Sequence, residues 1–265
     1  MSTPTNAERS ALVSEIAELR AKYRESLGGM IFVVLSYKGG AGKSTVAREL
    51  AWLLGANLID FEFDDGAVSR AMGYLHERHM TAPLVDALLS GRIPRLTSRP
   101  GCPPFVPGHP DFEANTPSEE VITTSLEQWA QHWGVPVVVD THPGGGTATR
   151  AAAQAADAII TPTELAEFSL NAAEGMIQRD LMGHRVLLVP NKVKRSPADH
   201  HLKRLDQLAR RSGITIGTPL SRYTWLEDRT LNRPLCAADP IPARSVPVVR
   251  ELLTITQEVN DLVAA

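Results

Sequence analysis

Apolar residues follow two alternating rhythms along this chain. Short continuous runs of aliphatic residues occur at 31–35, 57–61, 135–140, 158–162, 185–190 and 214–219. Between them, apolar positions return every three or four residues, as in Val46, Leu50, Leu53 and Leu54, or Leu84, Val85, Leu88 and Leu89. The same spacing marks 118–133, where Ser118 is placed to cap a helix over Val121, Leu126 and Trp129, and it continues through 147–156, a longer stretch to 183, and 197–212. The first rhythm predicts buried strands and the second predicts helices with one apolar face. Strands that alternate with helices build a parallel sheet with right-handed crossovers. Strands this uniformly apolar need cover on both faces. Ahead of the first strand, Leu12, Ile16, Leu19, Tyr23 and Leu27 sit at helical spacing among charges, and Gly28-Gly29 ends that helix. The expectation is α/β: a single domain over 30–265 with a mostly parallel twisted sheet and helices on both faces, preceded by a short helical extension over 1–29. That extension is read as packed on the domain, with a dimer or partner contact as the alternative.

Composition narrows the class. A chain of 265 residues can bury about three quarters of its unfolded surface in one large α/β domain. The two cysteines, Cys102 and Cys236, share no short motif. They point to a reduced, cytoplasmic protein and to neither a disulfide framework nor a cysteine-held metal or iron–sulfur cluster. No apolar run approaches a membrane-spanning length, and the polar N-terminus does not read as a signal peptide.

The stretch that carries chemistry is IFVVLSYKGGAGKSTVA, residues 31–47. An apolar strand enters a glycine-rich turn, and Lys43-Ser44-Thr45 opens a helix. That is the context a phosphate-binding P-loop requires. The backbone N–H groups of Gly39, Gly40, Ala41, Gly42 and the first helical residues converge on phosphate oxygens at the positive end of the helix. Lys43 reaches the β- and γ-phosphates, and the Ser44 hydroxyl is placed to hold Mg²⁺, so ATP with Mg²⁺ is the expected cofactor. The run at 57–65 ends in four carboxylates, among them Asp60, Glu62 and Asp64. The run at 135–140 ends in Asp140, the layout of a carboxylate that holds the hydrated Mg²⁺ opposite Ser44. Acids at the C-terminal ends of strands beside a P-loop lie where open α/β sheets bind ligands.

The usual motif wants glycine at position 37, where this chain has tyrosine, and a second lysine, Lys38, starts the loop. KGGAGKST resembles the deviant Walker A motif of the ParA/MinD ATPases, and the resemblance covers roughly residues 30–260. It implies that Lys38 crosses a homodimer interface to the nucleotide of the twin subunit. It matches Asp60 to the first aspartate of the family's D-x-D and places Glu62 on the second, which is associated with hydrolysis. Asp60 is then a metal and catalytic candidate. Since Phe63-Asp64-Asp65-Gly66 is one residue longer than the family's turn, Asp64 is the alternative catalytic carboxylate. After Asp140 the family's D-x-P-P becomes Thr141-His142-Pro143 followed by three glycines. His142 reads as a local hydrogen-bonding group, with a general base as the alternative. The segment 105–110 resembles a short strand and turn of the family. Asn191 falls on its adenine-contacting asparagine, and Pro219, at the end of the last strand, is grouped with the nucleotide contacts. The stretch 222–234 keeps Glu227 and has Asn232 in place of the family's glycine.

Charge is unevenly spread. Residues 182–250 carry thirteen basic against five acidic residues, while 51–150 carry six against twelve, in a chain of net charge −3. Lys203, Arg204, Arg210 and Arg211 share a predicted helix, and Arg222 follows, which suggests a polyanion-facing side. Few aromatics are interleaved, so the contacts expected are to phosphates and ignore sequence. With the resemblance, the expected function is a ParA-like ATPase that dimerises on ATP, binds DNA non-specifically and partitions a plasmid or chromosome with a ParB-type partner, in the cytoplasm and at the nucleoid. The alternatives are a relative that positions another cargo, such as a protein compartment or conjugation machinery, and a MinD-like membrane-cycling ATPase. The last is weakened by a C-terminus with no basic residue after Arg250. An ATP-dependent small-molecule enzyme on the same fold is a further competitor.

Overall fold

Alternation within each strand decides which side of the sheet every core residue joins. In a computed structural model that describes residues 3–64, 68–227 and 233–264, seven parallel strands form one sheet. They are β1 (Ile31–Val34), β2 (Asn57–Asp60), β3 (Phe105–Val106), β4 (Val137–Asp140), β5 (Ala158–Glu164), β6 (Val186–Asn191) and β7 (Thr215–Ile216). Their order is β3-β2-β4-β1-β5-β6-β7. Phe32, Val34, Leu58 and Val138 point into one core, and Ile31, Val33, Ile59, Val137 and Val139 into the other. This period-two division is why the strands are apolar at every position. The expectations attached to Asp65, Gly66 and Asn232, and to the side chain of Glu227, lie outside the described residues.

The connecting helices are α1 (Asn6–Ser26), α2 (Lys43–Leu53), α3 (Val68–Ala71), α4 (Pro83–Ser90), α5 (Asp111–Ala114), α6 (Glu119–Trp133), α7 (Thr147–Ala155), α8 (Glu167–Asp180), α9 (Asp199–Ser212), α10 (Thr224–Glu227) and α11 (Val246–Ala264). α1, α2 and α11 cover the first face, while α4 and α6 to α9 cover the second. α1 opens with a reciprocal cap, in which Glu8 N–H donates to the Thr5 hydroxyl at 3.2 Å and Thr5 N–H to the Glu8 carboxylate at 2.7 Å. Leu12, Ile16, Tyr23 and Leu27 are buried against the body, so the helix is packed there.

The sequence and the structure differ at the sheet's margins. Pairing of β2 stops at Asp60, and Phe61 to Asp64 leave the sheet as a loop. The run at 214–219 pairs only through Thr215 and Ile216, both exposed at the edge. The C-terminal segment, which the sequence analysis weighed only as a membrane contact, is the long helix α11. Its apolar face, Val248, Val249, Leu252, Ile255 and Val259 among others, is inside the first core. Each such side chain contributes roughly 1.5–3 kcal/mol by leaving water, so offering this face to a bilayer would strip the sheet of its cover. No helix among the described residues is long and apolar enough to cross a membrane.

Truncating Ile16 to alanine should cost about 2–5 kcal/mol of stability in urea unfolding of the isolated chain. An unchanged midpoint would mean that α1 does not pack on its own domain.

Candidate functional site

β1 hands the chain to a loop whose glycines are dictated by conformation and by contact. Gly40 and Gly42 have φ of +74° and +93°, in the left-handed region. A methyl group on Gly42 would also lie 2.2 Å from the Asn191 Nδ2 atom. Gly42 caps α2 with no side-chain hydrogen bond, so the first N–H groups of the helix stay available at its positive end. Lys43, the first helical residue, is buried, and burial pulls its ammonium below the ordinary lysine range while Asp140 and Glu62 push it back. Gly40, Gly42, Lys43, Ser44 and Thr45 form one wall of a cleft of about 460 Å³. Gly39 and the buried Ala41 belong to the same loop but do not face the cleft.

The acids are set by the pairing of β2 with β4, which puts Asp60 beside Asp140. Asp60 accepts from Ser69 N–H at 2.8 Å, from the Ser69 hydroxyl, and from Glu62 N–H at 3.0 Å. Burial nevertheless raises it to about 6. It does not line the cleft, and its carboxylate is engaged by Ser69 and by the Glu62 N–H. Asp140 is the opposite case. It is fully buried, and neither carboxylate oxygen has a hydrogen-bond partner. Burial and then the charge of Asp60 push it up to about 8, against the pull of the neighbouring Ser44 hydroxyl, which lies outside hydrogen-bond geometry, and of Lys43. An orphaned buried carboxylate next to a serine hydroxyl is an oxygen donor set suited to a hard cation such as Mg²⁺.

Glu62 and Asp64 form the facing rim of the cleft. Glu62 is largely buried and its Oε1 atom meets His142 Nδ1 in a short hydrogen bond. Asp64 is mostly exposed, with 71% of its side chain in solvent. The His142 ring stacks on Phe63 with centroids 4.0 Å apart. Lys38 is held within its own chain, its Nζ donating to Glu164 Oε2 at 3.1 Å and Ser169 Oγ at 2.8 Å. Glu164 also accepts from Lys192 at 3.1 Å, and Lys192 donates to the Gly40 carbonyl at 2.8 Å. Burial raises the Glu164 carboxyl, but its hydrogen bonds to the two lysines outweigh that and hold it below the usual range. Tyr37, where the common motif has glycine, donates its hydroxyl to Asp180 and closes on Gly145, leaving no room there for a Cβ. Burial first, then the Asp180 contact, push this phenol up to about 12.

Neither a family model nor a curated protein sequence matches this chain. Solved structures do. A variant of Cyanothece McdA in complex with ATP superposes with a TM-score of 0.69 at 15% identity, over 89% of this chain and 96% of that one. MinD from Aquifex aeolicus gives 0.65 at 17% identity, over 88% and 97%. A plasmid partition protein, so described putatively, from Borrelia burgdorferi B31 bound to AMPPNP gives 0.66 at 16% identity, over 88% and 98%. This chain has the MinD/ParA-like fold.

Within the MinD/ParA-like fold, the far wall of the cleft departs from the sequence reading. Asn191 does line it, with its amide engaged: Nδ2 donates to the Ala41 carbonyl at 2.7 Å and Oδ1 accepts from Lys192 N–H at 2.8 Å. Pro219, grouped with the nucleotide contacts by the sequence, is exposed and is not part of the cleft lining. Three residues that the sequence analysis passed over, Ser221, Tyr223 and Leu226, take that wall instead. Glu251 of α11 fixes the first two, accepting from the Ser221 hydroxyl at 2.7 Å and the Tyr223 hydroxyl at 3.1 Å. Their only sequence signal is the 223/226 spacing at the start of the short α10, too brief to show a period.

The basic surface is also reshaped. α8 lies beside α9 and supplies acids: Arg204 pairs with Glu167 and with Glu174 at 3.1 Å, and Arg211 approaches Glu174 at 3.9 Å. Arg210 pairs with Asp206 at 2.9 Å. Among the described residues Lys203 makes no ion pair, and Arg222 borders a second cavity of about 440 Å³ with Lys192, Lys194 and His201.

Because burial lifts Asp140 and Asp60 above the carboxylate's ordinary value, the folded chain holds protons that the unfolded chain releases. Stability from this source is complete below the unfolded value near pH 4 and is lost as pH rises towards about 8. In chelator, Asp140→Asn should therefore lose less urea stability than wild type between pH 5 and 8. Equal slopes would mean that Asp140 carries no uncompensated burial.

Proposed function

We propose that this chain is a Mg²⁺-dependent ATPase of the ParA/MinD family that works as a ParA-type partition protein, with residues 30–265 as the ATPase domain and 1–29 as an appended helix. The observation that carries the reading is a buried lysine at the open N-terminus of α2 facing Asp140, a buried carboxylate with no partner of its own. Such a pair is costly in an isolated chain, and a phosphate–cation ligand satisfies both ends. The relatives of this fold that carry ATP or AMPPNP support the choice of nucleotide.

In this reading the N–H groups of the 39–45 loop and Lys43 hold the β- and γ-phosphates, and Ser44 and Asp140 hold the ion. Mg²⁺ when bound neutralises the charge that develops on the transferred phosphoryl group. Glu62 orients the attacking water. Its burial and its fixed contact with His142 favour it over the solvated Asp64, since phosphoryl transfer depends on positioning. Tyr223 and Leu226 offer an apolar face to the base beside Asn191. Lys38 exchanges Glu164 and Ser169 for the nucleotide of a twin subunit, so that ATP makes the homodimer. The dimer binds DNA through phosphates, associates with the nucleoid, and is released when a ParB-type partner stimulates hydrolysis. The buried face of α11 disfavours the membrane-cycling alternative.

Lys43→Ala should abolish binding of a fluorescent ATP analogue, and retained affinity would remove the P-loop assignment. Lys38→Ala should bind nucleotide yet stay monomeric with ATP in light scattering; an ATP-dependent dimer would contradict its role in trans. Charge reversal at Lys203 and Arg222 should weaken binding to DNA of any sequence, with wild-type affinity falling steeply as salt rises. A flat salt response would overturn the DNA reading.

A further inference from the structure

Three of the points at which this chain departs from the ParA/MinD pattern meet in space. Glu62 lies two residues past the end of β2 and His142 two residues past the end of β4, and those strands are paired in register through Asp60 and Asp140. Equivalent positions on neighbouring strands therefore bring the two side chains together, and Asp64 lies beside them. Glu62 Oε1 meets His142 Nδ1 and accepts from Asp64 N–H at 3.4 Å, while Asp64 Oδ2 lies 4.0 Å from the same ring nitrogen. One donor atom from each of the three lies within 4.8 Å of the others. We infer that Glu62, Asp64 and His142 form a binding site for a divalent transition-metal ion of the Zn²⁺, Co²⁺ or Mn²⁺ type at the rim of the cleft, separate from the oxygen donors Ser44 and Asp140.

The chemistry of the donor set selects that class. One imidazole and two carboxylates, with no thiolate, suit borderline divalent ions and exclude the soft ones. Bonds of about 2.0–2.2 Å in a tetrahedral sphere place donors about 3.4 Å apart, so Asp64 must draw in while the hydrogen-bonded Glu62 and His142 atoms part by roughly an ångström to admit the ion. Asp64 is free to move that far because its side chain is mostly in solvent. The other two are preorganised: Glu62 is buried, and the His142 ring is clamped parallel to Phe63, with an angle of 14° between the planes. Three protein ligands leave the fourth position open, and Glu62 and Asp64 line the cleft itself, so that position can take water or an anionic oxygen. The site stands on these side chains alone and does not depend on the ATPase reading.

The test is a titration of the untagged, nucleotide-free chain with Co²⁺ in excess Mg²⁺, followed by visible absorption, with Zn²⁺ competition by calorimetry. One ion per chain is expected, with a ligand-field spectrum. Affinity should fall about tenfold or more in His142→Ala and in Asp64→Asn. Asp64 is exposed, so its variant keeps the test valid if His142→Ala fails to fold. The adjacent pair His200 and His201 is the competing site, and its double alanine variant should bind as wild type does. Absence of a Co²⁺ spectrum, binding unmoved by both site variants, or binding lost with His200 and His201 would each overturn the proposal.

Discussion

The structure turns on one unbalanced charge: Asp140, walled off from water with no hydrogen-bond donor, near a lysine that burial discourages from holding its charge. A fold that served only stability would have replaced this pair with apolar side chains, because removing charges from water costs more than their attraction returns. The loop that carries the lysine is built just as tightly. Gly42 meets the Asn191 amide so closely that a single methyl group would force them apart. The neighbouring residues put this close fit in the service of a ligand, since the helix N-terminus and the lysine open on one cleft and the orphaned acid lies buried at the end of β4 behind them.

Around that centre, contacts from distant parts of the chain hold the loop. Glu164 at the end of β5 is shared by Lys38 and Lys192, and Lys192 closes back on the Gly40 carbonyl. Tyr37 reaches Asp180 at the end of α8 and packs on Gly145 after β4. On the opposite side of α2, the buried Glu49 accepts from Leu235 and Cys236 N–H at 2.7 and 3.2 Å and so fastens the segment behind the cleft. The P-loop and its helix are therefore tied to the turn after β4, to α8 and to the 233–237 segment through named contacts. This is the kind of contiguous packed network in which occupancy of one site biases another.

The switch point of the sheet explains why such different residues converge. β1 sends the chain towards β2 on one side, and β4 sends it towards β5 on the other, so the loops after β1 and β4 diverge and leave a crevice at the strand ends. The P-loop, Asp140 and the Glu62–His142 pair all border that crevice. The basic helix α9 lies at the far edge beside α8, and its charge is met there by glutamates.

The linear pattern of residues determined the layers and the P-loop, because strand alternation, helical spacing and a glycine turn before a lysine are local properties. Ile31 to Leu35 had to be a strand covered on both faces, and Lys43 had to open a helix. What the chain order could not contain was proximity between segments. That Asp60 is spent on Ser69 while Asp140 is left bare depends on the register of β2 with β4. That Ser221 and Tyr223 stand at the cleft wall depends on Glu251 of α11, more than twenty residues further on. That Arg204 faces Glu167 and Glu174 depends on two helices lying side by side. Charge, burial and ligand geometry are set by distances in space, and only the folded chain fixes those.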